Sequence, residues 1–121
     1  MPRLSPMPEA QIQRSIVNAA RSFGWLVYAT YRSLHSEPGF PDLVMVKNGD
    51  VILAEIKATK GRLSTGKWNK ANTRWLPGQD DWKAAFEECS GVEYYLWREA
   101  DLDAAYERLG RDYGVMVTDG R

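Results

Sequence analysis

Residues 39–57 read Gly39-Phe40-Pro41-Asp42-Leu43-Val44-Met45-Val46-Lys47-Asn48-Gly49-Asp50-Val51-Ile52-Leu53-Ala54-Glu55-Ile56-Lys57. Two apolar runs, 43–47 and 51–57, flank Asn48-Gly49-Asp50, and Asn-Gly between such runs is a strong signal for a β-hairpin. The two strands are therefore expected to be antiparallel neighbours. Strand alternation puts Val51, Leu53, Glu55 and Lys57 on one face and Ile52, Ala54 and Ile56 on the other. The hairpin also brings Asp42, at the start of the first strand, beside the end of the second.

Asp42, Glu55 and Lys57 thus sit where a buried strand pair would otherwise be apolar. Ionised groups in such surroundings are costly unless they pair or bind a metal. Two carboxylates from adjacent strands can share a hard cation such as Mg²⁺, which takes oxygen ligands and keeps several waters. The backbone carbonyl of Ile56, between the two charged residues, would be a further oxygen ligand. A metal held there would polarise a phosphate and lower the pKa of a bound water. Lys57 could orient that water, help deprotonate it or stabilise the developing charge; the residue types leave all three roles open. The same residues also fit a structural arrangement, in which Glu55 and Lys57 pair at a sheet end and Asp42 caps a turn.

Outward from this hairpin, Ile12, Ile16, Ala19, Ala20 and Phe23 recur at helical spacing. With Pro8 suited to a first helical position, Glu9 to the first turn and Gly24 to a stop, the spacing predicts a helix over 8–23. Residues 25–32 read as a strand and 33–41 as a loop. Residues 58–76 show little periodicity and read as a long exposed loop, a kind of segment that is often functional. A helix over about 79–89 follows, then a strand over 92–97 and a closing helix over 99–109. The expected order is α-β-β-β-α-β-α, a mixed α/β sheet flanked by helices. Residues 1–7 read as a flexible arm, 8–110 as one domain and 111–121 as a tail with no assigned structure.

A chain of 121 residues can bury one core without disulfides, and its single cysteine, Cys89, could form none internally. No apolar run approaches a membrane span, and the N-terminal stretch lacks a signal-peptide core. These features lead us to expect a soluble, cytoplasmic protein with no membrane partner. The formal net charge is zero, which argues against a protein that coats DNA non-specifically. Its distribution is uneven: Lys57, Lys60, Arg62, Lys67, Lys70 and Arg74 carry no acid among them. Between Asp80 and Glu107, nine acids face only Lys83 and Arg98. One basic face is the simplest reading, with Trp68 and Trp75 interleaved as surfaces for stacking on exposed bases. A solubilising loop whose tryptophans pack on the core fits the same pattern.

At this point the chain resembles the VRR-NUC domain of the PD-(D/E)XK nuclease superfamily, especially its small stand-alone phage and bacterial members. The resemblance runs from Glu9 to about Trp97. It rests on a first-helix Glu, Gly39-X-Pro41-Asp42, Glu55-Ile56-Lys57, and Gln79 opening the helix after the basic loop. It implies a restriction-endonuclease-like fold and hydrolysis of DNA phosphodiester bonds dependent on Mg²⁺ or Mn²⁺. Asp42 and Glu55 carry over as metal ligands and Lys57 as the catalytic lysine. Glu9 carries over as an acid near the site, and Gln79 as a polar residue turned toward it. The resemblance further implies a homodimer acting on branched DNA such as four-way junctions, as Holliday-junction resolvases do. Flap, single-strand or non-specific cleavage in phage recombination or defence, or a non-catalytic DNA-binding module, are the other readings. The stretch from Lys57 to Gln79 is longer than the family usually has, and substrate preference would reside there.

The remaining polar residues carry less. His35 is the only histidine, which argues against a nuclease built on several imidazole ligands. Tyr31 and Arg32 end a strand beside the acidic pair and fit phosphate contact or packing equally. Trp82, Phe86, Tyr95 and Trp97 are expected in the core, and Cys89 is expected to be a small buried apolar residue, not a nucleophile.

Overall fold

The computed structural model describes residues 5–30 and 37–111. The elements run α1 (Glu9–Ser22), β1 (Leu26–Ala29), β2 (Leu43–Lys47), β3 (Asp50–Ile56), β4 (Lys67–Asn69), β5 (Arg74–Leu76), α2 (Gln79–Glu87), β6 (Glu93–Trp97), a 3₁₀ turn (Glu99–Asp101) and α3 (Leu102–Gly110). The chain is mixed α/β. A four-stranded sheet in the order β1-β2-β3-β6 is antiparallel except for the parallel β3–β6 pair.

The β2–β3 hairpin forms because Asn48 and Gly49 both adopt positive φ, 50° and 86°. A two-residue turn matching the strand twist requires that of both residues. The pairing closes on Lys47 opposite Asp50, so the second strand starts one residue earlier than expected. Helix α1 follows its apolar spacing, burying Ile12, Ile16, Val17 and Ala20. Pro8 lies one position before the helix, as its extended N-cap (ψ 149°), where its carbonyl accepts from Gln11 and Ile12. Gly24, at φ 94°, reverses the chain, and the amide of Trp25 then donates to Ala20 at 3.0 Å, closing the helix end.

One core joins α1, α3 and the Ile52–Ala54–Ile56 face of β3, with Leu43, Met45, Trp25, Trp97, Ala105 and Leu109. Each fully buried Ile or Leu contributes about 1.5–3 kcal/mol. On the opposite face, α2 lies over β6 with an aromatic layer: Phe40 meets Trp82 edge-on, Trp82 stacks on Phe86, and Phe86 on Tyr94. At the end of the sheet away from the Asp42 turn, Arg108 makes two bonds to Glu93 (2.7 and 2.5 Å) and one to Asp50 (3.1 Å).

Several expectations need correction. Residues 58–76 are not a structureless loop, because β4 and β5 pair as a separate two-stranded sheet. The expected order therefore omits two short strands, whose three-residue length is too brief to show periodicity. The strand read over 25–32 is shorter: Trp25 is buried ahead of it, while Tyr31, Arg32 and His35 lie outside the described residues, as do 1–4 and 112–121. Helix α2 buries no residue fully, so Trp82 and Phe86 form a half-buried layer. Tyr95 is likewise only partly buried, and Trp97 alone of that group is in the core. Cys89 is exposed, because it lies past the end of that shallow helix. The α2 face is also incompletely covered, leaving Leu26, Tyr28 and Val46 exposed. No described helix is long and apolar enough to cross a membrane.

Candidate active site

Pro41-Asp42 enters β2 and Glu55-Ile56-Lys57 leaves β3, so the antiparallel pairing sets them side by side. The Ile56 amide donates to Asp42 Oδ2 at 2.8 Å, which fixes the Asp42 carboxylate at the strand end. Thr30 Oγ1 donates to the Pro41 carbonyl (2.9 Å), and the Thr30 amide to the Asp42 carbonyl (2.8 Å), pinning the turn from β1.

Glu55 is buried, 1 % exposed, on the α2 face of the sheet. Its Oε2 accepts from Gln79 Nε2 at 2.9 Å, and Lys57 Nζ lies 4.0 Å from the same oxygen. Its Oε1 is buried and receives no hydrogen bond while both carboxylates are ionised; a proton on Glu55 can be shared with Asp42. Burial first, then the hydrogen bond and negative charge of Asp42, push the Glu55 carboxyl up from 4.5 to about 9. Lys57 pulls the other way and is outweighed. At neutral pH without a cation, the Glu55 carboxyl therefore retains its proton. Tyr94, stacked on Phe86 near this pair, has its phenol pushed up by burial and then by the Glu55 charge.

Gln79 is placed by the first turn of α2. Its side-chain oxygen accepts from the Ser64 amide (2.8 Å), while its own amide donates to Ser64 Oγ (3.1 Å). The side-chain nitrogen is thereby turned to Glu55. This helix start sits tight against its surroundings. A Cβ on Gly39 would fall 2.6 Å from the backbone of Gly78, and one on Gly78 would fall 2.3 Å from the backbone of Thr65. Asp81 Oδ2 accepts from the Gly78 amide and from Trp75 Nε1, each at 2.9 Å, and those two donors lower its carboxyl below the usual range.

The structure thus brings together Asp42, Glu55, Lys57 and Gln79. Ile56 joins them through its amide. Glu9 is exposed at the start of α1 and acts on Glu55 only through space, the least of its named influences. Lys60, Arg62, Lys67, Lys70 and Arg74 are all exposed on the segment between β3 and α2, as is Trp68. Arg74 has Glu37 at 3.5 Å. Among the described residues no group of three or more His, Cys, Asp or Glu side chains is arranged to hold a metal; the acidic site is a pair. A groove of about 410 Å³ beside β6 and α3, lined by Tyr95, Trp97, Arg108 and Arg111 among others, includes none of these residues.

Three contributors escaped the sequence reading. Ser64 and Gly78 position Gln79; the pattern Gly78 followed three residues later by Asp81 is a legible helix start. Arg98 reaches back from the end of β6 to donate to the carbonyls of Ala58 (2.8 Å) and Gly61 (2.6 Å), holding the chain just beyond Lys57. Nothing in its local sequence marks that role.

Compared with protein-family models, with curated proteins and with solved structures, the chain matches none.

Proposed function

We propose that this chain is a metal-dependent DNA endonuclease with a restriction-endonuclease-like fold, its chemistry carried by Asp42, Glu55 and Lys57. The observation that supports it most is Glu55 Oε1: a carboxylate oxygen buried with no N–H or hydroxyl donor, beside a second carboxylate. A purely structural role would be better filled by an apolar residue, because burying that carboxyl is costly and Lys57 at 4.0 Å does not offset it. A hard divalent cation fits this donor set.

Asp42 and Glu55 would hold Mg²⁺ or Mn²⁺, with the Ile56 carbonyl as a further oxygen donor. When bound, the ion would polarise the scissile phosphate and acidify a water. The protein's own groups do the rest. The Ile56 amide fixes Asp42, and Gln79 orients Glu55. Lys57, 15 % exposed with its ammonium 4.0 Å from Glu55, would meet the charge that builds on the phosphate. Glu9 contributes to the field from α1, and Lys60, Arg62, Lys67, Lys70 and Arg74 contact phosphates along the DNA backbone. On the family resemblance, the substrate is branched DNA such as a four-way junction, cut by a homodimer.

The test is cleavage of junction, flap and linear DNA with Mg²⁺ or Mn²⁺. Activity that disappears in Asp42→Asn and Lys57→Ala, with DNA binding retained, supports the enzyme. Wild-type protein that binds DNA yet leaves every substrate intact with both metals would favour a non-catalytic binding module. Equal rates on all three substrates would remove the junction preference alone.

A further inference from the structure

The β4–β5 hairpin is too small to exist for its own core. Each strand has three residues, and an isolated two-stranded ribbon of that size is marginal in water. Yet Trp68 and Trp75 are directly opposed in its register, which puts both indoles on one face, and they are 56 % and 51 % exposed.

The ribbon is held in place from one side. The Trp75 ring packs against Gly66, where a Cβ would come 2.3 Å from the indole, and its Nε1 is tied to Asp81. Asn69 Oδ1 accepts from the Ala71 amide at 2.9 Å, closing the turn. Trp68 makes no ring contact or side-chain hydrogen bond with another described residue. The result is one anchored indole, Trp75, beside a second, Trp68, held to it only through the strand register, both half-exposed to solvent. Asp81 and Gln79 share the first turn of α2, so the anchor of the ribbon and the orienting partner of Glu55 are one structural unit.

We propose that this hairpin is a base-stacking platform, so that the site acts on DNA whose bases are unstacked beside the scissile bond, as at a branch point or in a single strand. The substrate assignment rests on the nuclease reading above; the stacking itself does not. An indole can stack only on a base face that neighbouring bases leave uncovered, and intact duplex offers none along its length. Charge selects the occupant. Lys67 and Lys70 flank Trp68 along the chain, Lys67 on the opposite face of the ribbon by strand alternation. Neither has a carboxylate partner among the described residues, and the segment from Lys57 to Arg74 contains no acid. A second copy of the same surface would meet like charge; a polyanion with exposed bases meets both features.

The test measures binding of the full chain in EDTA, where no cleavage occurs. The probes are a fluorescent single strand, a blunt duplex of the same sequence, and a forked duplex with 2-aminopurine at the branch. Trp68→Ala should weaken single-strand and fork binding by about 5- to 150-fold, the range for one stacked base. It should leave blunt-duplex binding unchanged and lose the 2-aminopurine quench, and Trp68→Phe should restore most of both. Lys67→Ala with Lys70→Ala should weaken all three probes alike. The proposal is overturned if Trp68→Ala affects all probes equally or none. It is also overturned if the variant instead shifts the molecular mass in solution, which would make the pair a contact between copies. Fork preference without any metal-dependent cleavage would sink the nuclease reading and spare the platform; cleavage without that preference would do the reverse.

Discussion

Gln79 Nε2 donates to Glu55 Oε2 across 2.9 Å, joining the first residue of α2 to the buried end of β3. Since Oε1 receives no hydrogen bond from an N–H or hydroxyl donor, this amide is the donor that orients the carboxylate. Groups that orient a ligand in this way typically contribute 10- to 100-fold in metal affinity or activity. Gln79→Ala should therefore raise the Mg²⁺ concentration for half-maximal cleavage by roughly 10- to 100-fold while leaving DNA affinity in EDTA intact. Unchanged metal dependence would show that Gln79 only packs there.

The raised Glu55 carboxyl makes a pH prediction whose sign is definite. In the unfolded chain Glu55 titrates near 4.5, and in the folded chain near 9. Between those values only the folded state holds the proton, so the contribution of Glu55 to metal-free stability is complete below pH 4.5 and is lost as pH rises toward 9. Glu55→Gln mimics the protonated group and should flatten that decline, giving a higher melting temperature than wild type at pH 8–9. Mg²⁺ should stabilise the wild type more at pH 8 than at pH 6, because binding must displace the proton. Thermal melts across pH, with and without the metal, measure all three effects.

At the far end of the sheet, Arg108 is 5 % exposed and bridges Glu93 and Asp50. Its hydrogen bonds are the main reason the Glu93 carboxyl falls to about 2. Glu93→Ala leaves a buried cation with only Asp50 and should cost about 2–4 kcal/mol. Asp50→Ala removes the longer, more exposed contact and should cost less than about 1 kcal/mol. The Glu93 contribution is present above pH 4.5 and is lost as pH falls through 2. Urea titrations of the two variants give the comparison, and equal losses would refute the ranking.

Glycine packing at the start of α2 separates a steric requirement from a merely conformational one. Gly78→Ala places a methyl 2.3 Å from the Thr65 backbone and should destabilise the chain by about 1–3 kcal/mol. It should also impair cleavage, because Gln79 moves with the helix start. Gly91 has open space around its Cβ position, so Gly91→Ala should change stability by less than about 0.5 kcal/mol. Chemical denaturation with parallel rate measurements checks both variants.

The sequence by itself determined the β2–β3 hairpin, the faces of β3 and most of the buried stripe of α1, in which Val17 is buried while Ala19 and Phe23 are only partly so. Each of these is set within a few residues, by the positive φ of Asn48-Gly49 and by apolar spacing. The same local rules placed Asp42 opposite the end of β3. The family resemblance turned Gln79 toward the site, but only the tertiary structure decided that it donates to Glu55 from 24 residues away, that Arg98 holds the Ala58–Gly61 turn, and that Cys89 faces solvent. It also decided that β4 and β5 form a ribbon, because three-residue strands have no periodicity to read. That ribbon exists through Asp81, Gly66 and the α2 helix start, contacts between segments whose meeting is governed by packing, which no local pattern encodes.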